Sequence, residues 1–226
     1  MSEHKIFFEF LLFLTLTGLT LVGCASQVPL GTSPEPIHFF AETGHTIRGD
    51  FANFFEKYGG VKSLGYPLTE QISVDGWTVQ YFENGRLEYH PENQPAYRIT
   101  VGWLGDLLQR RRPPLPPGEL PPATDSYRKY FPETGHTISS DFLDYFEAYG
   151  GKVRFGWPIS EPFLLDGRLT QDFQSARFYW TPAREPPVTL EEIGRVHLEM
   201  RKLDEEFLKP VKEANEEEFE GNRLEK

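Results

Sequence analysis

Two segments of the chain carry aromatic residues at the spacing of a single helix face. The residues stand at i, i+3, i+4 and i+7, and the pattern returns 91 residues later: Phe51, Phe54, Phe55 and Tyr58, then Phe142, Tyr145, Phe146 and Tyr149. This periodicity predicts two short amphipathic helices. A Gly-Gly pair follows each one directly, and glycine takes the left-handed conformation of a helix end without steric cost.

After each helix, β-branched and aromatic residues alternate with polar ones in runs separated by turn residues. In the first copy the runs are Q-I-S-V, W-T-V-Q-Y-F and R-L-E-Y-H, with Asp75-Gly76 and Glu83-Asn84-Gly85 between them. Asp-Gly and Asn-Gly between alternating runs are strong hairpin signals. The pattern predicts a three-stranded antiparallel meander packed on the helix, with four residues in the two cores: Phe82, Leu87, Phe173 and Phe178.

A second helix is predicted after each meander. Residues Ile99 to Arg110 carry apolar side chains at helical spacing, and the counterpart begins at Thr189. Leu104-Gly105 and Ile193-Gly194 are the positions that correspond best between these two segments.

The whole pattern is an internal repeat. Residues 39–91 and 130–182 align without a gap, with 23 identical residues in 53 positions. We therefore expect an α+β fold of two tandem copies of a small module, each a short helix, a three-stranded antiparallel meander and a following helix. The modules span 37–110 and 127–208, the second including a C-terminal helix, and an acidic tail spans 209–226.

Between the modules, residues 111–126 form a proline-rich linker. The prolines favour a semi-rigid extended conformation, so we expect a spacer. A ligand for a recognition domain that binds proline-rich peptides is the alternative interpretation of the same composition.

The chain begins with a mostly apolar run from Ile6 to Gly23, behind Lys5 and ahead of Cys24. Such a run is typical of a secretory signal. Leu21-Val22-Gly23-Cys24 resembles the lipobox of bacterial lipoproteins, which implies cleavage before Cys24 and lipidation of its sulfur. We expect residues 1–23 to be a signal peptide and 24–36 a tether, with the protein exported and lipid-anchored to the outer face of a bacterial membrane. An uncleaved signal anchor is the alternative.

Composition narrows the function further. Cys24 is the only cysteine, which excludes disulfides, thiolate metal clusters and a cysteine nucleophile. The net charge of −11 argues against nucleic acid and anionic lipid surfaces as partners, because both require basic faces. The sequence does not predict an oligomeric state.

Two turns and two closing strands carry a family resemblance. The turns are Leu64-Gly65-Tyr66-Pro67, followed by Glu70, and Phe155-Gly156-Trp157-Pro158, followed by Glu161; the closing strands are 85–89 and 176–180. These segments resemble the LGFP repeat, and the longer unit from E-T-G-H-T to E-Y-H-P-E-N resembles a repeat of exported bacterial surface proteins. The resemblance implies attachment to the cell wall. The chain has two units and no accompanying enzyme domain.

The shared E-T-G-H-T segments contain residue types that could bind a metal ion or catalyse hydrolysis. Glu42 and His45, with their copies Glu133 and His136, have the spacing of a metal or hydrolytic pair. Glycine interrupts each pair, a zinc site needs three or four ligands, and no nucleophile elbow is present. We therefore predict a structural turn, with each histidine bonded to a backbone carbonyl, and no catalytic residue, metal or cofactor.

Aromatic residues of the strands and turns are the candidates for ligand binding. Trp and Tyr rings can stack on sugars, with arginine at the polar rim. The candidates are Tyr66, Trp77, Tyr81, Arg86, Tyr89, Trp157, Arg177, Tyr179 and Trp180. The alternative is that these rings are core and that the two arginines pair with Glu42 and Glu133.

Three hypotheses for function follow. The first is a membrane-anchored surface lipoprotein whose non-catalytic repeats bind cell-wall or envelope polysaccharide. The second is a protein-interaction scaffold that uses the 188–208 helix and the acidic tail. The third and weakest is a hydrolase that uses Glu42, His45 and their copies.

Overall fold

The computed structural model describes residues 36–122 and 124–211. The predicted signal peptide, Cys24, the tether up to residue 35 and the tail from residue 212 lie outside the described residues. None of the described helices is long and apolar enough to span a bilayer.

The first half contains six strands and three helices. A hairpin of β1 (Ile37–Phe40) and β2 (His45–Arg48) leads into α1 (Gly49–Lys57) and α2 (Gly60–Leu64). A four-stranded antiparallel sheet follows in chain order and ends at a short helix; its strands are β3 (Ile72–Val74), β4 (Trp77–Phe82), β5 (Gly85–Tyr89) and β6 (Ile99–Val101), and the helix is α3 (Leu104–Leu107).

The second half runs through the same order of elements. Its hairpin is β7 (Arg128–Phe131) and β8 (His136–Ser139), and its helices are α4 (Ser140–Ala148) and α5 (Gly151–Phe155). The antiparallel sheet consists of β9 (Phe163–Leu165), β10 (Arg168–Phe173), β11 (Ala176–Trp180) and β12 (Val188–Leu190), and α6 (Ile193–Arg201) follows. The fold is therefore α+β, with four small antiparallel sheets among the described residues.

The predicted helix faces are buried as the periodicity requires. Phe51, Phe54 and Phe55 of α1 pack against the sheet, and the Phe55 and Phe82 rings stack with centroids 5.6 Å apart. The helix ends before Gly59, which has a φ of 95°, a conformation that costs a non-glycine residue free energy. The four predicted core residues of the strands are fully buried.

The predicted second helices were placed wrongly at their starts. Ile99–Val101 is a strand that pairs with β5, with Leu87 opposite Val101, so the sheet has four strands where three were predicted. The three residues I-T-V are too short to reveal a period, and their β-branched side chains favour a strand. In the second half, Val188–Leu190 is likewise a strand, and helix α6 begins only at Ile193.

Each of these final helices packs on the sheet of the other half. Gly105 N–H of α3 donates to the Gln174 carbonyl at 2.7 Å, and Gly194 N–H of α6 donates to the Glu83 carbonyl at 3.0 Å. A Cβ at either glycine would overlap a backbone carbonyl oxygen of the opposite half. The described residues therefore belong to one compact unit, in which the halves exchange their helices.

The start of the proline-rich linker is part of this unit. Arg112 N–H donates to the Ile159 carbonyl at 2.8 Å, and Leu115 N–H donates to the Gly135 carbonyl at 2.9 Å. This portion of the segment predicted to be a spacer is thus seated on the second half.

Candidate functional site

A glutamate after each proline turn anchors the preceding hairpin. Glu70 accepts a hydrogen bond from Thr46 N–H at 2.7 Å and from Thr46 Oγ1 at 2.5 Å, and His45 Nδ1 lies 3.5 Å from the same carboxylate. Partial burial raises the pKa of Glu70, but the neighbouring His45 and the hydrogen bonds from Thr46 outweigh it, so the pKa lies below its ordinary value.

The second half repeats the arrangement with one addition. Glu161 accepts from Thr137 N–H at 2.8 Å and from Thr137 Oγ1 at 2.5 Å, with His136 Nδ1 at 3.3 Å. Arg128 adds a hydrogen bond at 3.1 Å. Burial again opposes ionisation, and the bonds from His136, Thr137 and Arg128 lower the pKa of Glu161.

A glutamine that recurs in both halves also holds each hairpin in place; we call this glutamine, together with Glu70 or Glu161, the hairpin anchor. Gln80 Nε2 donates to the Thr46 and Thr69 carbonyls at 2.7 and 2.8 Å, and Gln171 makes the equivalent bonds to Thr137 and Ser160 at 2.6 and 2.9 Å. Both side chains are buried within strands. The sequence signal was the shared Q-x-F, a polar residue recurring at a core position of a strand.

These contacts support a structural role for the E-T-G-H-T segments. His45 and His136 are buried, and His136 Nε2 lies 3.2 Å from the Arg112 carbonyl, in line with the predicted histidine–backbone contact. Glu42 accepts a hydrogen bond from the Tyr66 hydroxyl, which raises the pKa of Tyr66. Residues 36–122 and 124–211 contain no cluster of three or more His, Cys, Asp or Glu side chains suited to a metal ion.

The candidate aromatic residues of the first sheet lie on opposite faces. Tyr81 is 0% exposed, and its hydroxyl lies 3.1 Å from His197 Nδ1 of α6. Tyr89 pairs with Thr78 and therefore faces the other side, against the core under α1. Trp77 is partly exposed but packs on His90, with ring centroids 4.3 Å apart. No single sugar-stacking face results from these three rings.

The candidates of the second half are also dispersed. Tyr179 is buried and donates to Glu191 at 3.1 Å, while Trp180 points to the opposite face and donates to Asp141 at 2.7 Å. Trp157 packs on Phe131, with ring centroids 5.6 Å apart.

The two arginines do not pair with Glu42 and Glu133. Arg86 pairs with Glu88 on its own strand, and Arg177 donates to Asp172 at 2.6 Å. Burial disfavours both charges, but these carboxylates outweigh it and raise the pKa of each arginine. Both guanidinium groups are therefore engaged within their sheets.

A different pair of aromatic rings is open to solvent. Tyr97 is 64% exposed and Trp103 is 58% exposed, and both line a groove of about 500 Å³ between α1, β6 and α5. We call it the aromatic groove; its lining includes the exposed rings of Tyr97 and Trp103 and the polar or charged side chains of Asp50, Asn53, Lys57 and Lys152.

Local structure explains how the groove forms. Asp50, Asn53 and Lys57 stand at i, i+3 and i+7 of α1 and therefore share one helix face. Tyr97 ends a 3₁₀ turn that begins at Pro95, and Trp103 directly precedes α3. Sequence reasoning missed both rings because Trp103 was placed inside a longer helix; the signal was a lone Trp after the strand-forming residues I-T-V and Gly102.

A second, larger cavity adjoins the first hairpin turn. We call it the turn cavity; its volume is about 810 Å³, and its walls come from the turn, the proline turn and α6, including Glu42, His45, Tyr66, Leu68, Leu198 and Leu203. Among the predicted candidates, it brings together Tyr66, Glu42 and His45.

No protein-family model matches the chain, and no curated protein matches it.

Proposed function

We propose that the protein is a non-catalytic surface lipoprotein that binds an envelope glycan in its aromatic groove. The observation that carries this proposal is the placement of Tyr97 and Trp103, two largely exposed rings in one groove. Exposed aromatic rings that line one groove present apolar surface on which the C–H faces of sugars stack.

The polar side chains of the groove suit a glycan with carboxylates. The Asp50 carboxylate and the Asn53 amide can hydrogen-bond to hydroxyl and acetamido groups. Lys57 and Lys152 make the groove locally basic although the whole chain is acidic. A cell-wall polymer that carries both sugars and carboxylates, such as peptidoglycan, meets these requirements.

Export and anchoring belong to the same proposal. The apolar run before Cys24 and the lipobox-like L-V-G-C support a lipid anchor at the outer face of a bacterial membrane. A lipid-modified cysteine with several acyl chains holds a protein stably at a bilayer. The resemblance to LGFP repeats points to the same location, the cell wall.

We further propose that the chain arose by duplication of one α+β module. The repeat of 91 residues and the matching order of hairpin, helices, sheet and final helix support this origin. Only the first half carries the aromatic pair, because Glu192 stands in place of Trp103, two positions before Gly194 as Trp103 is before Gly105. The proposed glycan site is therefore single.

The scaffold hypothesis finds less support. The apolar face of α6 is already buried on the first sheet, through Ile193, His197 and Leu198. The exposed face of this helix is mixed, with Val196 and Met200 beside the charged Glu199 and Arg201.

The test is co-sedimentation of the chain from residue 25 with purified cell-wall sacculi. This chain keeps all of the described residues, 36–122 and 124–211. Each stacked ring contributes about 1 kcal/mol, so Y97A/W103A should weaken binding at least tenfold. Tyr127→Ala is the matched control, because Tyr127 is 78% exposed and lies outside the groove. No retention of the unmodified chain, or equal retention of the double variant, contradicts the proposal.

A further inference from the structure

A second groove adjoins the aromatic groove. Its volume is about 570 Å³, and its walls come from the hairpin of the second half, the end of α4, the start of α5 and the second proline turn. We call it the Trp157 groove, after the half-buried tryptophan that lines it. Lys152, the second residue of α5, lines both grooves and therefore lies where they meet.

The Lys152 side chain carries its charge to the Trp157 ring. The Lys152 ammonium lies 5.0 Å from the centroid of this ring. The negative face of an indole attracts a cation at such a distance, so the ammonium is held at the boundary between the two grooves. A ligand that extends from one groove into the other passes this charge.

The proline turn of the second half leaves a carboxylate available. In the first half, the Tyr66 hydroxyl bonds to Glu42. Trp157 stands 91 positions after Tyr66 and has no hydroxyl, and Glu133, the copy of Glu42, makes no hydrogen bond to another described residue. The Glu133 carboxylate can therefore accept hydrogen bonds from the hydroxyl groups of a ligand.

Residues by which the two halves differ converge on this one surface. Val61 is the repeat equivalent of Lys152, and Glu192 stands in place of Trp103. Trp103 belongs to the first half and Lys152 to the second, yet both line the aromatic groove. Because both side chains are exposed, core packing does not account for these differences, and the surface is suited to a ligand.

The charges of the surface favour an anionic ligand. Lys57 and Lys152 outweigh Asp50, the one acidic residue among the described residues that line the aromatic groove. Neither lysine forms an ion pair with a side chain that the structure describes. In the Trp157 groove, Lys129 is paired with Glu147 at 2.9 Å. The surface is therefore basic along the aromatic groove as far as Lys152.

We propose that the two grooves form one extended site for a polysaccharide strand that is several sugars long and carries carboxylates. One sugar stacks on Tyr97 and Trp103, another packs on Trp157, and a ligand carboxylate between them pairs with Lys152. This inference rests on the glycan binding proposed above and specifies the length and charge of the ligand.

The experiment is a calorimetric titration of the chain from residue 25 with soluble peptidoglycan fragments of one disaccharide and of three. Contact with the second groove should make the longer fragment bind about tenfold more tightly. Trp157→Ala should remove this gain and leave the affinity for the single disaccharide unchanged. Tyr66→Ala is the matched control, because it removes the ring at the same repeat position of the other half, and both affinities should be unchanged.

A second variant tests the same groove without removing a partly buried ring. Glu133→Ala removes a carboxylate that is exposed and makes no hydrogen bond to another described residue, so thermal unfolding should be unchanged. The variant should weaken binding of the longer fragment by about fivefold and leave binding of the disaccharide unchanged. Glu42→Ala is its matched control in the first half and should leave both affinities unchanged.

Three results overturn the extended site. They are equal affinity for the two fragments, unchanged affinity for the longer fragment in both Trp157→Ala and Glu133→Ala, and equal weakening of both fragments in these variants. Y97A/W103A should weaken binding of both fragments. If it does so while the two fragments bind equally, only the extended site is contradicted; if the unmodified chain binds neither fragment, glycan binding itself is contradicted.

Discussion

Ser63 and Arg154 stand 91 residues apart, at the same position of the two repeats, and their side chains bond to each other. Arg154 Nε donates to Ser63 Oγ at 2.9 Å, and Arg154 Nη2 donates to the carbonyls of Ser63 and Asn84 at 2.8 and 2.9 Å. Arg154 is completely buried, which lowers its pKa to about 10, so the guanidinium remains charged at neutral pH.

This hydrogen bond lies at a contact between the two halves in which equivalent residues of each half touch the other. The Tyr58 ring contacts Gly150, and the Tyr149 ring contacts Gly59. Two arginines at this position would place two buried charges together, and two serines would leave a void and unsatisfied carbonyls. The unequal pair therefore solves a packing problem that equivalent residues could not.

Exchanging the two residues tests this relationship. Arg154→Ser should destabilise the protein by about 3–5 kcal/mol, because it leaves a cavity and three acceptors without their donor. Ser63→Arg alone should also destabilise it, by burying a second guanidinium. In S63R/R154S the new arginine can reach the Ser175 carbonyl, the repeat equivalent of Asn84, so stability should recover by about 2 kcal/mol over the sum of the single changes. Chemical denaturation measures the coupling, and additive losses contradict the equivalence.

The packing of α3 and α6 on the sheets of the opposite halves depends on two glycines. Gly105→Ala and Gly194→Ala should each destabilise the protein by about 2 kcal/mol, although alanine favours a helix by about 1 kcal/mol over glycine. The added Cβ overlaps a backbone carbonyl, which cannot rotate away as a side chain can. Gly118→Ala is the control, because nothing lies within 4 Å of a Cβ there. Thermal unfolding distinguishes them; an unchanged or higher Tm for both helix variants contradicts the packing.

Local features of the fold could be predicted from the sequence. The spacing of Phe51, Phe54 and Phe55 depends only on one helix face, and Asp75-Gly76 depends only on one turn, so both predictions are confirmed. Strand β6 escaped prediction because three residues carry no clear period.

Contacts distant in sequence could not be predicted. Alternation shows that Tyr81 and Phe82 face opposite sides of a strand, but not that α6 covers Tyr81, because its partner His197 is 116 residues away. The aromatic groove depends on the same kind of information: Lys152 of α5 joins Tyr97 and Trp103 only in the folded chain. The sequence pattern therefore predicts which residues share a face of a strand or helix, but it does not predict which of these faces remains exposed in the folded chain.

The hairpin anchors predict acid sensitivity. The pKa values of Glu70 and Glu161 are lowered in the fold, so the unfolded chain binds more protons near pH 4.5, and stability falls as pH drops below that value. Glu70→Gln and Glu161→Gln should each cost about 1–2 kcal/mol at pH 7 and flatten this acid dependence. Glu133→Gln serves as the control, since Glu133 makes no hydrogen bond to another described residue. Urea unfolding at several pH values measures the effect, and parallel curves for all variants contradict it.

His197 predicts a second pH dependence at milder acidity. Burial, with the nearby charges of Arg86 and Arg201, lowers its pKa to about 4, whereas the unfolded value is near 6.5. The unfolded state therefore takes up the proton first, so this contribution is complete above pH 6.5 and declines as pH falls towards 4. Between pH 6.5 and 5 the loss is about 1.5 kcal/mol.

His197→Gln isolates this contribution. The variant keeps a polar partner for the Tyr81 hydroxyl but cannot take up a proton, so its stability should be flatter than the wild-type curve between pH 6.5 and 5. The two proteins differ only at residue 197, and the difference between the two curves therefore reports His197 alone. If stability depends on pH with the same slope in both proteins, His197 takes up its proton in the folded state as it does in the unfolded state. That result would contradict the burial of His197 between α6 and β4.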